Sequence, residues 1–183
     1  FTSTTADGSY RSADTVNITA TASEDVVTGN TITATLDTGD IVLLTAAANG
    51  TTLVGTYTVG AGDNSNDLTV SSFSIGTVTD IAGNAMASTT VPGTNIASGS
   101  AIVIDTTAPT VSLVTTTADN QSSVSITDNI TVTFSEAMEP SYITTSTSDT
   151  FCAGTLRLSS DNFSTCVRMS SEPVSSNSNR TFT

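Results

Sequence analysis

The chain has no histidine and no tryptophan, its four positive charges are all arginines (Arg11, Arg157, Arg168 and Arg180), and aromatic residues make up only 5% of it. Without histidine or lysine, a serine nucleophile lacks its usual base, and no Cys/His pair or Cys/His zinc site can form. We therefore expect no enzyme. Four arginines against 17 acidic residues, a net charge of -13, cannot supply the basic face that displaces counterions from nucleic acid. The same balance argues against anionic membrane surfaces. No run of residues is long and apolar enough to span a bilayer. The chain opens on Phe1 and carries no signal peptide, from which we expect a processed or excerpted chain. Nine Phe and Tyr in all leave few aromatics to stack on sugars, so a sugar-binding module ranks last.

What is abundant points to strands. Hydrophobic residues reach 37%, carried by Val, Ile, Ala and Leu, and threonine and serine are plentiful. β-Branched side chains lose χ1 freedom in a helix and pack well on a pleated surface. Within residues 1–104 the strand signals are "FTST", "TVNITATA", "TITATLD", "IVLLTA", "TTLVGTYTV", "LTVSSFSI" and "AIVI", parted by "ADGS", "DTGD", "AANG" and "GAGDNSND". Seven short strands without helical periodicity are the pattern of an immunoglobulin-like β-sandwich.

A repeat sets the organisation. "TTAD" at Thr4–Asp7 recurs at Thr116–Asp119, and "NITATASED" at Asn17–Asp25 recurs as "NITVTFSEA" at Asn129–Ala137, both at an offset of 112 residues. We expect an all-β protein of two tandem immunoglobulin-like sandwiches: residues 1–104, a linker at 105–109 restricted by Pro109, and residues 110–183, the second lacking its last strands. In the second copy, "SEAMEPSYITTSTSD" reads as a helical turn or loop, followed by a "CAGTLRLSSDNFSTCVRM" hairpin.

"VTGN", "YTVGAGDNSNDL", "TDIAGNA" and "VIDTTAPTV" resemble the tandem Ig-like repeats of very large bacterial and archaeal cell-surface proteins and adhesins. "NITVTFSEAMEPS" is similar to the Ig-like domains of S-layer and swimming-motility surface proteins. The resemblance implies an extracellular, non-catalytic structural role in a stalk, adhesin or surface layer. Its partners would be neighbouring domains, copies of the same protein or cell-surface ligands. The rival reading is a self-assembling filament subunit, whose incomplete second sandwich takes a strand from a neighbouring molecule.

Cys152 and Cys166 suit a disulfide that closes a 15-residue loop, although two buried free thiols would also fit. A disulfide places the protein outside a reducing cytoplasm.

Thirteen of the 17 acids are aspartates, which favour turns. If the strands alternate in direction, the loops after the first, third and fifth gather at one pole. Asp7, Asp14, Asp63, Asp67 and Asp105 would crowd there with Asp37 and Asp40, faced by Glu136 and Glu139 of the second copy. Carboxylates ~5 Å apart at an effective dielectric of ~20 repel by ~3 kcal/mol. Calcium, with six to eight oxygen ligands, would neutralise them and stiffen the joint, a role the surface-repeat resemblance also implies. Solvated turns, or adaptation to salt, would account for the same acids. "TDIAGNA" reads as a tight turn, or as a second calcium site with Glu24 and Asp25. Sequons occur at Asn17, Asn49, Asn120, Asn129, Asn162 and Asn179, and glycans are expected only at the loop positions Asn49 and Asn162.

Overall fold

The computed structural model describes residues 1–116, 125–148 and 150–183. The sequon at Asn120 and the second "TTAD" beyond Thr116 lie outside them. The chain divides into two compact units, Phe1–Thr107 and Ala108–Thr183.

Unit 1 carries eight strands: β1 (Gly8–Tyr10), β2 (Thr15–Val26), β3 (Thr31–Leu36), β4 (Ile41–Thr45), β5 (Gly50–Thr58), β6 (Asn64–Ser65), β7 (Val70–Ile75) and β8 (Ile102–Asp105). One sheet has the order β2-β5-β4-β3-β7 and is antiparallel throughout; the other has the order β1-β8-β6. The alternation of the sequence decides the faces, because successive strand residues point to opposite sides. Val16, Ile18 and Ala20 of β2, Ile32, Ala34 and Leu36 of β3, and Leu53 and Tyr57 of β5 turn inward. They share a single core with Ile102 and Ile104 of the second sheet. The result is a β-sandwich, as the strand pattern predicts.

Two details depart from that pattern. "FTST" contributes only a bridge, Thr2 to Thr19, whereas the "ADGSYRSAD" segment read as a loop contains β1. Strand β1 pairs in parallel with β8 (Gly8 with Ile102, Tyr10 with Ile104), and Asp7 locks its start by accepting the Ala101 amide at 2.8 Å. The apolar run "IVLLTA" buries Val42 and Leu44 but leaves Ile41 and Leu43 more than half exposed.

Strands β4 and β5 approach closely at Gly55. A Cβ there would fall on the Leu43 carbonyl oxygen and 2.7 Å from Leu44 Cδ2. Backbone cannot yield as a flexible side chain does, so Gly55→Val should destabilise unit 1 by about 1–3 kcal/mol. Chemical denaturation would measure this, and a wild-type midpoint would refute the close approach.

The described residues of unit 2 form an antiparallel sheet of order β11-β12-β10-β9, made from β9 (Val111–Thr116), β10 (Ile130–Phe134), β11 (Ser175–Ser176) and β12 (Thr181–Phe182). A 3-10 turn at Pro140–Tyr142, capped by the Glu139 side chain, stands where the sequence suggests a helical turn. The expected cysteine hairpin forms no strands. Its chain is held by a Thr145–Gly154 bridge and by the Cys152–Cys166 disulfide, with Cα atoms 5.0 Å apart. The buried apolar side chains described in this unit are Val132, Ile143, Cys166 and Phe182, with the Phe182 ring edge-on to Phe134 at 5.9 Å.

The repeat is visible in the pairing. β9 lies against β10 as residues 1–5 lie against β2, and β12 crosses β10 as β5 crosses β2. Phe182 opposes Val132 as Leu53 opposes Ala20, an offset of 129 residues (182 less 53) against the 112 that relates β10 to β2. The disulfide-closed segment lies in the stretch where this extra length accumulates.

Candidate functional site

The acids of unit 1 gather at the end of the sandwich where β5 and β8 finish and β2 and β4 begin. After β5 the chain turns through Gly60 and Gly62, which returns Asp63 to the strand it has just left. Asp63 Oδ2 accepts the Tyr57 hydroxyl at 2.5 Å and the Gly60 amide at 2.6 Å. Tyr57 occupies a core position of β5, 2% exposed, so only its hydroxyl needs a polar partner. Burial, reinforced by the Asp63 carboxylate, pushes the phenol well above its usual range. The Tyr57 hydrogen bond holds the Asp63 carboxyl low. Asp40, the residue immediately before β4, has its carboxyl raised by its hydrogen bond with Asp63. The two carboxyls are thus shifted in opposite directions, Asp40 up and Asp63 down.

The signs of the two shifts are opposite. The contribution of Asp40, whose folded value is raised, is present at low pH and is lost as pH rises through that value. The contribution of Asp63, whose folded value is depressed, is present above its unfolded value and is lost as pH falls through the folded one. Asp40→Asn keeps a donor for Asp63 but cannot ionise. Over about pH 4 to 7 the variant should therefore lose less stability than the parent as pH rises. Parallel curves from denaturation at several pH values would contradict the raised Asp40 carboxyl.

The other acids at this end accept from backbone amides and hydroxyls. Asp14 Oδ2 accepts the Arg11 amide at 3.0 Å, and Asp105 Oδ1 accepts the Thr107 amide at 3.0 Å. Asp37 takes the Ser65 hydroxyl at 2.6 Å and the Thr69 amide at 3.0 Å. Asp67 follows β6, its amide donating to the Ser65 hydroxyl at 3.3 Å. Asp7 is not with them. The parallel register sets it beside Ala101, four residues along β8 from Asp105 and so about 13 Å away. The sequence reading misplaces it because it counts β1 as loop. In unit 2, Glu136 follows β10 with Oε1 buried and without a hydrogen-bond partner among the described residues. Among the described residues no three of His, Cys, Asp and Glu stand close enough to hold a metal ion. Aspartates that cap backbone amides two or three residues away are fixed by those turns, and this spreads them apart.

Asp40, expected at this pole, and Tyr57, which the sequence reading does not single out, complete the arrangement. Their signal is a tyrosine in the core phase of a strand, followed six residues later, across a glycine turn, by aspartate. "TDIAGNA" is a tight turn. Asp80 accepts the Asn84 amide and carboxamide, each at 2.7 Å, and Gly83 takes φ 93°. Those bonds lower the Asp80 carboxyl. Asn49 is exposed and its Oδ1 accepts the Thr28 amide at 2.9 Å. Asn162 is exposed inside the disulfide loop, in the left-handed region at φ 57°. Next to it, Asp161 is brought down to about 2 by the Thr165 hydroxyl and amide.

No curated protein and no solved structure matches the chain. A family model does, over the segment that holds β9 to β12 and the disulfide. Residues 105–183 match the family model of the bacterial Ig-like domain.

Proposed function

We propose that the chain is a non-catalytic structural segment of an extracellular protein, Ig-like repeats in a cell-surface stalk, adhesin or surface layer. The observation that carries the reading is the repetition of one strand plan in two units, the second matching bacterial Ig-like domains. A Cys152–Cys166 disulfide is compatible with the outside of the cell, and no helix among the described residues is long and apolar enough to cross a membrane. The reading is tested on protein from its native source, alkylated before reduction. Both cysteines should escape the alkylating agent, and free thiols would overturn the extracellular assignment.

The second reading, a filament subunit completed by a neighbouring molecule, is favoured by β9. This strand ends its sheet with Val111, Leu113 and Val114 exposed by 54%, 54% and 56% and without a charged residue. Such edges recruit strands. Assemblies that grow with concentration in sedimentation velocity support it, and a monomer at every concentration removes it.

Calcium that stiffens the joints belongs to the proposal too. Its support is the meeting of the Asp40 and Asp63 carboxyls at the acid-rich end, two oxygen donors of the kind calcium takes. A melting transition unchanged by chelator would remove calcium from the account.

A further inference from the structure

We infer that unit 1 has a further function, to bear tension along the chain, and that the short pairing of β1 with β8 is the clamp that bears it. Its use in a stalk rests on the structural reading above; its resistance to pulling is a property of the fold and is measured separately. Strand β1 lies near the entry of the chain into the unit, and β8 lies at its exit. The two run parallel, with Gly8 opposite Ile102, Ser9 opposite Val103 and Tyr10 opposite Ile104. Tension draws the start of β1 one way and the end of β8 the other, so the strands must slide along each other and their bonds share the load. Antiparallel neighbours joined by a turn have their free ends together, and tension on those ends opens them one bond at a time.

Both strands are fixed to the body of the unit. The Gly8 amide donates to the Ala101 carbonyl at 3.0 Å, and Asp7 Oδ1 accepts the Ala101 amide at 2.8 Å, which adds a charge-assisted bond where tension arrives. Ile102 and Ile104 are buried in the core. On its other side β8 pairs with β6, and the Leu68 amide donates to the Ile102 carbonyl at 2.8 Å. Past β8, the Thr106 hydroxyl donates to the Asp63 carbonyl and accepts the Gly62 amide, each at 3.0 Å. Past β1, the Ala13 amide donates to the Val59 carbonyl at 2.8 Å and the Val59 amide to the Asp14 carbonyl at 2.9 Å.

Stability at rest does not account for so short a pair. Parallel pairing is slightly weaker per residue than antiparallel, and β1 buries only part of Tyr10. Behaviour under load does account for it. Forced opening is governed by the unfolding rate rather than by equilibrium stability, and the bonds that must break together set that rate. The bridge between Thr2 and Thr19 precedes the clamp in the line of force and gives way before it.

The test stretches the full chain at constant force between handles on Phe1 and Thr183. Straightening Gly8 to Asp105 adds roughly 300 Å, whereas unit 2 with its disulfide closed adds roughly 200 Å, so length tells the two openings apart. Unit 1 should open in one step of that size. With the handles moved to Arg11 and Thr107, at the same end of β1 and β8, the pair unzips, and unit 1 should open at least about tenfold faster under the same force. In the first geometry Asp7→Ala, which removes the charge-assisted bond, should speed opening about tenfold. Asp7→Asn keeps an acceptor and should restore most of the resistance, while Asp80→Ala, in a turn outside the clamp, should leave it unchanged. Chemical denaturation verifies that each variant is folded at rest. Equal rates in the two geometries, opening in several small steps, or an Asp7→Ala chain as slow to open as its parent would each overturn the clamp, whereas free thiols in the alkylation test would overturn the extracellular reading alone.

Discussion

Phe182→Ala should unfold unit 2 while unit 1 stays folded. Phe182 is 1% exposed, is the largest of the few buried side chains described in its unit, and lies edge-on to Phe134. It is also a rung of the sheet, opposite Val132 on one side and Ser175 on the other. Truncating a buried phenylalanine removes its transfer free energy and leaves a cavity, together about 3–5 kcal/mol. A unit with so small a core has little reserve, since whole domains hold only about 5–15 kcal/mol. Residue-resolved spectra should show the signals of Val111–Thr116 and Ile130–Phe134 collapsing, while those of β2, β3 and β5 keep their positions. Retention of both sets would mean that the core of unit 2 is seated elsewhere.

The second large effect concerns Cys152 and Cys166. Reduction, or the double serine variant, should lower the stability of unit 2 by about 3 kcal/mol and leave unit 1 unaffected. The magnitude follows from the loop that the bridge closes in the unfolded chain. The location matters as much, because the 152–166 segment contains no strand and Cys166 is itself buried. With no ladder to order it, the segment relies on the bridge and on local bonds such as those of Asp161 to Thr165. Two denaturation transitions recorded with and without reductant measure the loss. A reductant that shifts the transition of unit 1 would contradict the assignment of the bridge to unit 2 alone.

Much of unit 1 is legible because alternation is a direct consequence of strand geometry. "VNITATA" and "TITATL" announce their inner faces, and Val16, Ile18, Ala20, Ile32, Ala34 and Leu36 are buried as the period of two requires. Strand β1 is hidden because "GSY" has no alternation to display; it exists through its parallel pairing with β8. The same omission sends Asp7 to the wrong end of the unit. The pole of aspartates is readable from strand order, but its chemistry is not. Whether a carboxylate faces a neighbour or caps its own turn depends on distances of a few ångströms: Asp14 and Asp105 cap, while Asp37 reaches across to Ser65 and Thr69. The glycine turn returns Asp63 to Tyr57, and Asp40 meets it from the start of β4, a meeting of separate segments that strand alternation does not encode. In unit 2 the repeat is legible as far as β10, after which extra chain shifts β12 by 17 residues (129 less 112) from where the offset would set it.

The open edge of β9 is a sheet margin where a β-branched, uncharged segment would find backbone partners and apolar cover. An acidic molecule tolerates such margins because its net charge of -13 opposes indiscriminate association, while a neutral strand meets little of that repulsion.

The central claim is that these Ig-like units stand outside the cell as structural repeats. Antibodies raised against the folded chain, applied to intact source cells, test it most directly. The account predicts labelling without permeabilisation and its loss after brief protease treatment of whole cells. Labelling that appears only once the cells are opened would contradict it.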